Sequence, residues 1–316
     1  MNVESQIERR PLLDADLRKF IAAGYLWAVV DATDAPAVPQ KAAELGPARA
    51  LCLFQGEAEE READTAPYLF LVDEALLAWL KETLWDEPWG ILAAAATDLE
   101  SLRKHFRRFL WVTAPDGAEK WYFRFYDPRV LAMYLPTCTP AELSWFHGPV
   151  RTFAVTNEDG GIDLLAPRAG LAPGPKGTPP PAGLWRIRQP QVDALQVDLE
   201  RNFVHKMAGM LGDEFPRFVE GLAAQVLDER IWLGLARARS HGLSRESSLA
   251  SFIMMMFVVG PDFDLTPGMK ELFDDETEDP DWRMERVSDL PQEVWREASG
   301  PARAGGWKAR PGEEAR

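Results

Sequence analysis

The stretch that decides the fold is Thr97–Leu131, TDLESLRKHFRRFLWVTAPDGAEKWYFRFYDPRVL. Leu99, Leu102, Phe106 and Phe109 or Leu110 recur at helical spacing, with Arg103, Lys104, Arg107 and Arg108 on the other side. Thr97 and Glu100 fit the S/T-x-x-E capping box that opens such a helix. Two strands follow, FLWVTA and KWYFRFY, joined through Pro115–Gly117, a strong turn signal. In KWYFRFY a period of two puts Trp121, Phe123 and Phe125 on one face, the core face, and Tyr122, Arg124 and Tyr126 on the other. Asp127 then serves as N-cap and Pro128 as first helical residue of PRVLAMYL, with Arg124 and Arg129 in reach of neighbouring carboxylates, Asp127 included.

Upstream, YLWAVVDA (25–32), ALCLF (50–54), YLFLV (68–72) and WGILAAAA (89–96) have strand length and composition, while ALLAWLKETL has helical spacing. Downstream, Thr139-Pro140-Ala141-Glu142 is a second capping box and VRTFAVT (150–156) a last strand. Residues 1–165 therefore form a mixed α/β domain, of α/β or α+β class. Residues 166–188, rich in proline and glycine, read as a linker. Residues 189–268 turn helical, with Leu199, Phe203, Met207 and Met210 as one buried stripe. FIMMMFVV belongs to a helix apolar on nearly every side, stopped at Gly260-Pro261. A smaller all-helical domain is expected there. Residues 269–316 form an acidic tail whose end, Ser299–Arg316, has a disordered composition.

The 316 residues carry a net charge of −15, which argues against general nucleic-acid binding. Residues 99–151 depart from this, with eight lysines and arginines against five acidic residues, a net +3. A surface polarised in this way orients association with a charged protein partner. Twelve tryptophans supply core mass and candidate interface anchors. Cys52 and Cys138 lie far apart and suggest neither disulfide nor zinc site. The N-terminus has no apolar leader, and the longest apolar run is too short for a bilayer, so a cytoplasmic protein without membrane contact is expected.

The mixture in RFYDPR is that of many active sites, and a hydrolase using Asp127 with Arg124 and Arg129 is one reading. The capping role is the simpler one. The four histidines, at 105, 147, 205 and 241, show no metal-ligand spacing, and no P-loop, GxGxxG, HExxH or nucleophile elbow is present. No catalytic residue, metal or cofactor is therefore assigned. RARSHGLSRESSLASFIMMM has the outline of a helix-turn-helix, but its second helix offers Leu249, Phe252, Ile253 and methionines where base readout needs polar groups.

Leu102–Val150, with FRFYDPRVL as its most specific element, resembles the type VI secretion effector adaptor/chaperones called Tap or Tec proteins. PYLFLVDEALLAWL (67–80) and WGILAAAATDLESLRKH (89–105) are similar to the same family, so the likeness covers roughly residues 25–155. VVGPDFD (258–264) also resembles a motif in the helical tails of some members. The chain departs at the alanines after WGIL, where members often carry serine or threonine, and at Cys138, where leucine is commoner. The resemblance implies a non-enzymatic protein that binds a toxic effector in the cytoplasm and loads it onto the VgrG spike. An immunity or regulatory protein that neutralises an effector is the alternative. Arg103, Lys104, Arg107 and Arg108 are the candidate partner-binding residues.

Overall fold

The computed structural model describes residues 6–157, 159–168, 183–275, 277–299 and 307. The chain divides into two compact units, Met1–Asp198 and Leu199–Arg316.

The first unit runs β1 (Ile7–Pro11), α1 (Asp14–Ala22), β2 (Leu26–Asp31), α2 (Ala37–Leu45), β3 (Ala50–Cys52), α3 (Glu57–Arg61) and β4 (Pro67–Leu71). It continues through α4 (Glu74–Thr83), β5 (Gly90–Ala95), α5 (Leu99–Arg107), β6 (Trp111–Thr113), β7 (Lys120–Tyr122) and α6 (Pro128–Thr137). Then come α7 (Pro140–His147), β8 (Val150–Thr156), β9 (Ile162–Pro167), β10 (Trp185–Arg186) and α8 (Gln189–Glu214), the last crossing into the second unit.

Seven strands form one sheet in the order β1-β9-β8-β5-β2-β4-β3. Every neighbouring pair is antiparallel, which makes the domain α+β rather than α/β. β2, apolar along nearly its whole length, sits between β5 and β4 and is buried at every position. Alternation along it feeds two cores, one on each face of the sheet. Leu26, Ala28 and Val30 join the core under α1, α2 and α4, while Trp27 and Val29 join the core of α5, α6 and α7. Gly90 is required where β5 meets β2, because a Cβ there would lie 2.1 Å from the Val29 carbonyl oxygen.

The core of the second face is aromatic, and Phe125 is its hub. Its ring, fully buried, lies 5.4 Å from Phe106, 5.9 Å from Phe146 and 6.3 Å from Phe123, centroid to centroid. Two histidines are buried in the same layer. His105 Nε2 lies 2.8 Å from the Phe146 carbonyl oxygen and His147 Nδ1 lies 3.1 Å from that of Val150. Burial pushes both imidazoles down to about 4, so both are neutral at pH 7. His105 also needs Gly148, whose backbone has a φ of 50° and whose absent Cβ would clash with the imidazole at 2.4 Å.

Several expectations are corrected. β7 stops at Tyr122, and the chain turns so that the Phe125 amide bonds the Phe123 carbonyl (2.9 Å) and the Asp127 amide that of Arg124 (3.0 Å). Simple alternation therefore fails: Tyr126 is buried, whereas Trp121 is 37% exposed and not a core residue. Asp98, not Thr97, caps α5, its carboxylate accepting the Ser101 amide at 2.8 Å. The expected linker 166–188 contains the end of β9 and all of β10, with Trp185 and Ile187 in the aromatic core; residues 169–182 lie outside the described residues.

The second unit is helical: α9 (Pro216–Val219), α10 (Ala224–Ser240), α11 (Glu246–Val258), α12 (Pro267–Phe273), α13 (Pro280–Arg286) and α14 (Gln292–Ala298). Phe252, Ile253 and Met256 of α11 are fully buried, as a core helix requires. The buried stripe of α8 is Val204, Met207 and Leu211 instead of one containing Leu199, which is 68% exposed. The acidic segment is folded rather than a tail up to Ser299. Met269, Leu272, Phe273, Met284 and Val287 enter the core, and Asp281 accepts hydrogen bonds from Ser244 and the Arg245 amide at the start of α11. The expected disordered end lies, apart from Ser299 and Trp307, outside the described residues.

Phe125→Ala is expected to cost about 3–5 kcal/mol in urea denaturation, and Trp121→Ala less than half as much. The two histidines give a pH dependence of known sign. Their folded values lie below the unfolded value near 6.5, so stability is full above pH 6.5 and is lost as pH falls toward 4. Each contributes about 3 kcal/mol to that loss at completion. Denaturation at pH 7, 6 and 5 measures the slope, and His147→Gln should remove about half of it.

Candidate functional site

Local chain geometry builds the YDPR corner. After the tight turn at Arg124–Asp127, Asp127 takes an extended backbone (φ −71°, ψ 122°) and Pro128 supplies the first residue of α6. Its Oδ1 accepts the Arg129 amide at 2.9 Å and Arg129 Nε at 3.0 Å, and its Oδ2 accepts Nη2 of the same arginine at 2.6 Å. One side chain thus caps the helix and fixes the arginine that follows it. Asp127 is buried and both its oxygens are engaged, which suits an anchor more than a base reaching for a substrate.

Arg124 turns the other way and pairs with Asp31, the last residue of β2. Asp31 also accepts the Thr33 amide at 3.0 Å, so it organises the loop leaving the strand. Burial works against the Arg124 charge, but Asp31 together with Tyr126 and Asp127 outweighs it and holds the guanidinium above its ordinary value. Beside this pair the Tyr122 and Tyr126 hydroxyls lie 2.9 Å apart. Burial pushes Tyr122 up to about 12 and Tyr126 further, so both are neutral phenols at physiological pH. The corner locks β2 to the start of α6 through charge and hydroxyl contacts above the aromatic core.

The four candidate partner-binding residues separate. Arg103 is only 8% exposed and is not on the exposed side of α5. Its Nε donates to the Cys52 carbonyl at 2.7 Å and its Nη2 to that of Phe54 at 2.8 Å, with Glu59 at 3.4 Å. The planar fork satisfies carbonyls where β3 ends, a use that helical spacing cannot reveal. Lys104 and Arg108 are exposed and Arg107 is half-buried. Lys104 and Arg107 line a groove of about 390 Å³ together with Gln55, Glu100 and Ser101. Burial, and then the neighbouring Arg103, lower the Arg107 guanidinium from its ordinary value.

Sequence reasoning missed Asp31, whose one signal is a carboxylate closing the apolar strand LWAVVD and whose partner lies 93 residues away. It also missed the half-exposed aromatic face of Phe54, Trp111 and Tyr122 beside the groove. Both cysteines are free and buried, and burial pushes their thiols up to about 11 at Cys52 and about 12 at Cys138. Among the described residues no cluster of three or more His, Cys, Asp or Glu is placed to hold a metal ion. Among them, too, no helix is long and apolar enough to cross a membrane.

Replacing the cap separates its two jobs. Asp127→Ala is expected to cost about 1–2 kcal/mol, and Asp127→Asn, which can still accept the helix amide, clearly less. Equal losses for the two in chemical denaturation would show that the arginine contact, not the cap, carries the effect.

No curated protein and no solved structure matches the chain. The region from β2 through most of α7, which contains the corner, the basic helix and the aromatic face, does have counterparts. Residues 26–144 match the model of a family described as a domain of unknown function, DUF4123.

Proposed function

We propose that this chain is a non-catalytic adaptor/chaperone of type VI secretion, binding a toxic effector in the cytoplasm and loading it onto the VgrG spike. The observation that carries the reading is the family match over residues 26–144. It falls on the segment, centred on FRFYDPRVL, whose sequence resembles the effector adaptor/chaperones. The geometry of the corner supports it. Of Arg124, Asp127 and Arg129, the residues from which a hydrolase would be built, Asp127 is bonded to Arg129 and Arg124 to Asp31. They read as a scaffold for surfaces, and a carrier works through surfaces.

The first test is genomic, since the neighbouring genes should encode a VgrG and a toxin, and the second is reconstitution with those two proteins. Co-expression should render the effector soluble and co-purify it, and the complex should then retain the C-terminal part of VgrG. If the purified chain retains neither protein, the adaptor reading fails. Deleting the gene should abolish secretion of the effector; killing of the producing cell would instead assign an immunity role.

A further inference from the structure

We infer that the surface from the α5 groove across Phe54, Tyr122 and Trp111 to β7 is a docking site for an acidic, extended segment of a protein partner. The inference rests on the adaptor reading and names the surface through which one partner is held.

Three observations meet there. The first is an open strand edge. β7 is the outer strand of a three-stranded sheet ordered β10-β6-β7. The Phe123 amide bonds the Leu110 carbonyl at 2.8 Å and the Ala114 amide that of Glu119 at 2.9 Å, so residues 119, 121 and 123 face β6. The backbone groups of Lys120 and Tyr122 point the other way, and among the described residues no strand pairs with them. An unpaired edge of this kind is a template for a further strand.

The second is an aromatic strip on one face of that hairpin. Trp111 and Tyr122 are opposite each other in register, their ring centroids 5.2 Å apart, and Phe54 continues the strip 6.0 Å beyond Tyr122. Trp111 is 41% exposed although it is among the largest apolar side chains. Half-exposed tryptophan and tyrosine beside arginine is the composition of an interface centre, where such residues anchor binding.

The third is charge, and it selects the occupant. The Lys120 ammonium sits 4.3 Å from the Trp111 ring centroid at one end of the strip. At the other end Gln55, next to Phe54, opens the groove lined by Lys104 and Arg107, with Glu100 the one acidic side chain in it. Arg107 lies close to the Arg103 guanidinium, whose repulsion Glu59 offsets in part, and an incoming carboxylate would offset more of it. These cations belong to the one stretch with net +3 in a chain of net −15. A basic segment would be drawn to the acidic remainder of the chain and repelled here, whereas an acidic one is repelled elsewhere and steered to this surface.

The experiment uses the full-length chain with its co-expressed effector and VgrG. Lys104→Glu/Arg107→Glu and Trp111→Ala should each weaken whichever partner the wild type retains by about tenfold or more, with unchanged thermal melting. Binding should also fall as salt is raised from about 0.05 to 0.5 M. In the complex the Tyr122 amide should exchange with solvent about tenfold or more slowly than in the free chain, which side-chain contact alone does not require. If the wild type holds a partner while both variants hold it equally well and the Tyr122 amide is unprotected, the surface is wrong and the adaptor reading stands. If the wild type holds neither partner, the adaptor reading falls and this inference with it.

Discussion

The burial of Phe125 is the constraint on which the first unit depends. Its ring meets Phe106 of α5, Phe146 of α7 and Phe123 of its own segment, so three elements separated in sequence converge on one side chain. A strand cannot deliver both Phe125 and Tyr126 inward, and the chain accordingly leaves β7 early and turns. The turn places Asp127 at the start of α6, where its carboxylate caps the helix. Core and cap are two consequences of one backbone decision.

Above that core lies a polar layer with its hydrogen bonds largely made. Asp31 holds Arg124, Asp127 holds Arg129, and two phenols bond each other. Buried polar groups cost stability unless paired, and paired they specify a unique arrangement. Arg103 works in the same way at the end of β3. The residues that look most chemical in the sequence are, in the fold, largely occupied with one another. Lys104, Arg108, Trp111 and Lys120 are left to face outward.

The second unit shows the same economy on an all-helical plan. Asp281 on α13 accepts bonds from the Ser244 and Arg245 amides that lead into α11, and Arg237 donates to the Pro261 carbonyl at 2.6 Å beside the buried Phe263. VVGPDFD is thereby a structural joint: it ends α11 and returns the chain to the core. The acidity of residues 271–299 sits around buried Leu272, Phe273, Met284 and Val287, so a strongly charged composition conceals an ordinary packed segment.

Local signals determined much by themselves. The apolar run Leu26–Val30 makes a central strand, the Thr139–Glu142 box starts a helix, and Asp127-Pro128 caps the next, because each depends on residues within a turn of one another. The division into a sheet-bearing unit and a helical one was legible for the same reason. What only the tertiary structure decided are the contacts that bridge distance. These are the antiparallel order of the sheet, the Asp31–Arg124 pair, Arg103 turning inward to β3, and Trp121 lying outside while Tyr126 lies inside. Periodicity states which side of an element is apolar, but a charged side chain long enough to reach a distant carbonyl is placed by the partner it finds.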